Sequence, residues 1–215
     1  MDGTITNFNL DYIGARRRAL EELDKLKLRT PDMTEKVSLY VTLKKLRDSL
    51  DHETFMMLRS KFYQLLQEME VRAAQQVTLY PGVLDTLRKL RSMSLKIGMV
   101  TNNGRKGTEI TFRRYGLEAF FDAVVTRDDC EEMKPDPAPV LQALREMQAS
   151  RQDAILIGDG IMDITAAKAA GLPSVAVPTG PFGHERLIES EPDYVIASIN
   201  DLPALVESLR KSHSP

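Results

Sequence analysis

A chain of 215 residues, 42% hydrophobic and 28% charged, is long enough to bury one globular core, or a core with a smaller insert, without disulfide staples. Its net charge of −2, from 29 Lys+Arg against 31 Asp+Glu, gives no electrostatic case for nucleic acid or an anionic membrane as partner. Its one cysteine, Cys130, excludes an internal disulfide framework. No basic-then-apolar leader follows Met1, and no apolar run reaches the roughly 18–20 residues that span a bilayer, so the expectation is a cytoplasmic protein.

From about Asn9 to Gln76 the pattern is helical. Leu20, Leu23, Leu26 and Leu28 follow Ala15 at roughly helical spacing. Thr30-Pro31-Asp32 reads as a break and a new helix start. Leu39, Leu43, Leu46 and Leu50 mark a second helix. Asp51-His52-Glu53 opens a third, with Phe55, Leu58, Phe62, Leu65 and Met69 on one face. Residues 9–77 therefore read as an antiparallel helical bundle.

After Tyr80-Pro81-Gly82 short strands alternate with helices. The strands are expected at 96–100, 123–126, 154–158, 174–177 and 194–196, and the helices at 83–93, 106–115, 137–147, 161–170 and 202–209. Such alternation predicts an α/β core, a parallel sheet covered by helices on both faces. Ligands in such sheets bind beyond the carboxyl ends of the strands.

Polar residues follow three of those ends. Strand 96–100 runs into Thr101-Asn102-Asn103-Gly104, and 154–158 into Asp159-Gly160-Ile161-Met162-Asp163. Glu132-Met133-Lys134-Pro135-Asp136-Pro137 follows 123–126. A hydroxyl, an ammonium and a carboxylate pair on one sheet edge suit phosphoryl transfer. Asp159 and Asp163 are hard oxygen donors for Mg2+. Thr101 and the N–H groups after it can hold phosphate oxygens. Lys134 can neutralise charge on the phosphate or on a nucleophile.

These motifs resemble those of the haloacid dehalogenase-like (HAD) superfamily. Asp2-Gly3-Thr4 resembles the back half of its first motif, Asp-x-Asp-Gly-Thr. Val100-Thr101-Asn102, Lys134-Pro135 and Gly158-Asp159 through Asp163 resemble its second, third and fourth. Tyr80-Pro81-Gly82-Val83 resembles the return to the core from a helical cap. The resemblance spans nearly the whole chain, with the motifs in order, and phosphoglycolate-phosphatase-like members match best in cap position. It implies a Rossmann-like core, 1–8 and 78–215, carrying a helical cap, 9–77. It implies a magnesium-dependent phosphatase acting on a small phosphorylated metabolite through an aspartyl-phosphate, as a monomer or homodimer. The leading Asp of the first motif would attack phosphorus. Asp2 would protonate the leaving group, activate water and ligate magnesium through its carbonyl. Thr101 and Asn102 would hold the phosphate, Lys134 would steady nucleophile and phosphate, and Asp159 and Asp163 would hold the metal.

One departure stands out. The leading Asp belongs directly before Met1, and the apolar strand that normally precedes it is not in the sequence either. The chain as written is therefore expected to have negligible activity, and a version extended by that strand and Asp to be active. The alternative is a catalytically inactive binding or regulatory relative. A receiver-type phospho-acceptor domain fits less well, because it lacks a helical insert, and a dehalogenase or phosphomutase is possible within the superfamily. Cys130, His52, His184 and His213 read as incidental. Arg16-Arg17-Arg18 reads as a solvated helix face from which one arginine could reach substrate. Met56, Met57 and Met69 read as packing residues.

Overall fold

A computed structural model describes residues 1–7, 10–180 and 184–212. Asn9, at the expected start of the cap, residues 181–183 and His213 lie outside the described residues.

Three helices form the first half. Helix α1, Tyr12–Lys25, is capped by the Asp11 carboxylate, which accepts from the Gly14 N–H at 2.8 Å. Ser38 caps α2, Leu39–Ser49, and Asp51 caps α3, His52–Ala74. In each case a short polar side chain satisfies an N–H that the first turn leaves unpaired. The second helix begins at Ser38, not at Thr30-Pro31-Asp32, where the Thr30 hydroxyl bonds the Asp32 carboxylate within a turn. Leu20, Leu23, Leu43, Leu46, Leu58 and Phe62 are buried together between the helices. The expected inner face of α3 needs correcting beyond Phe62. Leu66, Glu70 and Ala74 are buried there instead of Leu65 and Met69. A period of 3.6 residues moves the buried stripe round by one position over several turns. Met56 and Met57, expected to pack, lie on the outer face and are exposed.

The second half follows the expected alternation. Its elements are α4 (Val83–Ser92), β1 (Gly98–Val100), α5 (Arg105–Tyr115), β2 (Ala123–Val125), α6 (Ala138–Glu146), β3 (Leu156–Gly158) and α7 (Ile161–Ala170). They continue with β4 (Ser174–Ala176), α8 (His184–Ile188), β5 (Tyr194–Val195) and α9 (Leu202–Ser212). The short helix α8 was not expected. Each strand is shorter than its apolar run, because a strand ends where its ladder partner ends.

All strand pairs are parallel, in two half-sheets, β1-β2 and β3-β4-β5. The two half-sheets border the same apolar layers. Ile97 and Met99 share one apolar cluster with Ile155 and Ile157, while Val100 shares a second with Ala154 and Leu156. Alternating side chains of β1 and β3 thus meet the same layers above and below. Yet β1 and β3 are not hydrogen-bonded to each other, and no other strand among the described residues pairs with those two edges. Val100, Leu156 and Ile157 are only partly buried and Gly98 is exposed, although Met99 and Gly158 are buried, whereas β4 is buried throughout.

Candidate active site

The carboxyl ends of β1, β2 and β3 and the turn after Met1 open on one cavity of about 400 Å³. Asp2, Thr101, Asn102, Lys134, Asp159 and Asp163, the residues singled out in the sequence, all line it.

Residues 1–6 make a tight turn, in which the Gly3 N–H donates to the Thr6 carbonyl at 2.8 Å. The Asp2 carboxylate accepts from the Thr6 hydroxyl at 2.8 Å and from Asn103 Nδ2 at 2.7 Å. Thr4 Oγ1 donates to Asp159 Oδ1 at 2.8 Å. Gly3 has a φ of +77°, and a Cβ there would lie 2.1 Å from Asp159 Oδ2, so only glycine fits. Asp159 is 8% exposed. Burial, then the neighbouring Asp163, pushes its carboxyl up to about 6, against the pull of the Met1 ammonium, Thr4 and Lys134.

Lys134 is 7% exposed. Its ammonium donates to Asp163 Oδ1 at 2.6 Å and to the Val100 carbonyl at 2.7 Å, joining the ends of β1 and α7. The second Asp163 oxygen accepts from the Gly160 N–H at 3.0 Å, which closes the first turn of α7. Asn102 holds the Lys134 backbone from both sides, accepting from its N–H at 3.1 Å and donating to its carbonyl at 2.9 Å. The Lys134–Pro135 peptide bond is cis. The buried Thr101 hydroxyl accepts from the Asn103 N–H at 3.2 Å.

Among the described residues no three His, Cys, Asp or Glu side chains form a ready metal cage. Asp2 and Asp163 are committed to protein donors, and Asp159 has Thr4 as its hydrogen-bond donor.

Sequence reading missed several groups. Thr4, Thr6 and Asn103 orient the carboxylates, and short polar residues beside a motif carry no distinguishing signal. From the helical half, Tyr12, Ile13, Arg16, Leu39 and Tyr40 wall the cavity. Burial, then Asp2, raises the Tyr12 phenol well above its ordinary value. The Arg16-Arg17-Arg18 run divides. Arg17 is exposed and pairs with Glu35, Arg18 is exposed, and Arg16 lines the cavity and donates to the Glu35 carbonyl at 3.1 Å. Glu70 and Arg127, both buried, also line it. His52 and His184 are exposed helix-start residues outside the cavity lining. Cys130 is a free thiol donating to Gln142.

Comparison with known proteins bears on the family and the fold. The family model described as haloacid dehalogenase-like hydrolase matches residues 1–177. The pyrophosphatase PpaX of Bacillus mycoides is 30% identical over 204 residues, 94% of this chain and 92% of that protein. PpaX of Bacillus pumilus is 37% identical over 130 residues, 60% of each chain. Among solved structures, a Lactobacillus plantarum protein provisionally assigned as a phosphoglycolate phosphatase superposes with a TM-score of 0.69 at 25% identity, covering 95% of both chains. A Pseudomonas syringae hydrolase superposes with a TM-score of 0.70 at 24% identity, covering 97% of this chain and 95% of that one. The family match extends well past half the chain and takes in every motif around the cavity, and so the chain belongs to the haloacid dehalogenase-like hydrolases.

Proposed function

We propose that this phosphatase fold hydrolyses a small phosphate ester with magnesium, and that the residues around the 400 Å³ cavity divide the chemistry among them. The observation that carries this reading is the clustering of Asp2, Lys134, Asp159 and Asp163 with the Thr101 loop at the carboxyl ends of parallel strands.

Each residue's surroundings suit a role. Asp2, held by Thr6 and Asn103, is placed to give a proton to the leaving group and then take one from water. The Thr101 hydroxyl and the Asn102 N–H hold phosphate oxygens, while the Asn103 and Gly104 N–H groups are committed to Thr101 and Glu70. Lys134, buried and fixed by Asp163, balances charge on the phosphoryl group. The donor set fits magnesium, which takes one or two carboxylates and leaves its other positions to water and phosphate. Asp159 is a desolvated carboxylate facing a like charge, a place where a cation lowers the free energy. Asp163 orients Lys134 and would help Asp159 hold a magnesium ion. A bound magnesium supplies charge neutralisation at the phosphoryl oxygens.

The Met1 ammonium stands among Asp2, Asp159, Asp163 and Lys134, so a nucleophilic aspartate at that spot would face the same groups. Residues 9–77 are the cap and set substrate choice through Tyr12, Arg16 and Tyr40. The names of the relatives put pyrophosphate and phosphoglycolate first in a substrate screen.

The test is phosphate release by the chain extended with an apolar strand ending in Asp. Magnesium-dependent turnover is expected there, and negligible turnover from the 215-residue form. In the extended protein Asp2→Asn should slow turnover on the order of 10²–10⁴-fold, and Asp159→Asn should abolish the response to magnesium. Wild-type rates from both substitutions would overturn the assignment, and an extended chain that binds phosphate without turnover would favour a binding protein.

A further inference from the structure

We propose that Glu70 and Arg127 are a positioning pair in the cavity wall that sets loop 101–104 without touching the reacting groups. The proposal rests on that loop being the phosphate-holding loop. Glu70 belongs to α3 in the helical half, Arg127 follows β2, and the loop follows β1.

The pair is buried, with side chains 3% and 2% exposed. Glu70 Oε1 accepts from Arg127 Nη1 at 2.5 Å and Oε2 from Nη2 at 3.0 Å, a two-pronged contact. Both partners also grip the loop backbone. Glu70 Oε2 accepts from the Gly104 N–H at 3.0 Å. Arg127 Nη1 donates to the Asn102 carbonyl at 3.0 Å, and the Arg127 N–H donates to the Asn103 carbonyl at 3.0 Å. The ion pair's side chains thus fix Asn102 and Gly104, and the Arg127 backbone holds Asn103 between them.

Its surroundings are built for it. The guanidinium carbon lies 4.7 Å from the centre of the Tyr63 ring, a stacking that arginine makes and lysine does not reproduce. A Cβ on Gly104 would stand 2.8 Å from Arg127 Nη2, so the loop approaches as closely as glycine permits. Burial alone would disfavour the charge on Arg127, yet Glu70 holds its pKa above the ordinary value.

The hold passes on to the reacting groups. Asn103 donates to Asp2, and Asn102 clamps the Lys134 backbone. Apolar side chains could fill the same volume with equal stability. They could not set a carbonyl and an amide in fixed directions at once. The last turns of α3 therefore act mechanically with the loop, although they belong to the helical half.

Hydrogen exchange of individual amides tests this in the full chain with no need for turnover, alongside titration with inorganic phosphate. Arg127→Lys keeps the opposite charges but loses the fork and the stacking. The Asn103, Gly104 and Arg127 amides should then exchange on the order of tenfold faster, while β4 and α7 keep wild-type protection. Phosphate affinity should fall several-fold in parallel. Glu70→Gln should show the same selective pattern more strongly. If it does not fold, Arg127→Lys decides alone. Unchanged loop exchange, or acceleration spread evenly over the molecule, would overturn the proposal. A wild-type chain that does not bind phosphate would sink the phosphate-loop reading instead, with the exchange pattern still deciding on the pair.

Discussion

At Gly3 a missing side chain makes room for Asp159. A methyl there would meet Oδ2 at 2.1 Å, on a backbone with φ of +77°. Gly116 offers the contrast, with φ of +62° and nothing within 4 Å of an added Cβ. Gly116→Ala should cost only the backbone penalty, roughly 1–2 kcal/mol. Gly3→Ala should cost more and weaken magnesium binding, because the carboxylate must move. Thermal unfolding and magnesium titration of the two variants check this, and equal losses would contradict it. Asp2, Thr101, Lys134 and Asp159 were legible because motif order marks them. Glu70 and Arg127 were not, because a charged residue within an amphipathic sequence reads as solvent-facing until its partner is known.

Among the elements, the helices were read best. Leu20, Leu23, Leu43, Leu46, Leu58 and Phe62 are all buried where their spacing placed them. The inner face of α3 was lost beyond Phe62, since small errors of period accumulate along a helix of 23 residues. In the sheet, Asp193 ties the start of β4 to the approach to β5. It accepts from the Ser174 N–H at 2.8 Å and the Ser174 hydroxyl at 2.7 Å, and these bonds hold its carboxyl below its ordinary value of 3.8. A carboxyl lowered in the folded state stabilises above the unfolded value and loses that contribution as pH falls through the folded one. Asp193 is exposed, and solvent screening discounts the effect, so Asp193→Ala should cost less than about 1 kcal/mol at pH 7. In urea titrations the gap should close as pH drops below 3.8. A gap that persists at acid pH would contradict this.

For the molecule as a whole, the helical half and the α/β half meet at the site. Met133, directly before Lys134, is 7% exposed and packs among Leu43, Leu46, Phe55 and Phe62. Arg47 pairs with Glu132, and Arg59 donates to the Glu131 carbonyl at 3.1 Å. The lysine loop thus hangs from the helices as the Thr101 loop hangs from Glu70. Met133→Ala should cost about 2–5 kcal/mol, and it should weaken phosphate binding although Met133 is apolar. Loss of stability with unchanged phosphate affinity would show that the two halves are not coupled there. The sequence alone determined the alternation of strands and helices, the helical insert and the motif order. Those follow from periodicity and local polarity, which nearest neighbours along the chain decide. Only the tertiary structure decided that Glu70 and Arg127 are a pair, that Arg16 rather than Arg17 or Arg18 faces the cavity, and that β1 and β3 border the same apolar clusters without a shared ladder. Each depends on residues far apart in the chain and brought together by packing, which local periodicity cannot encode.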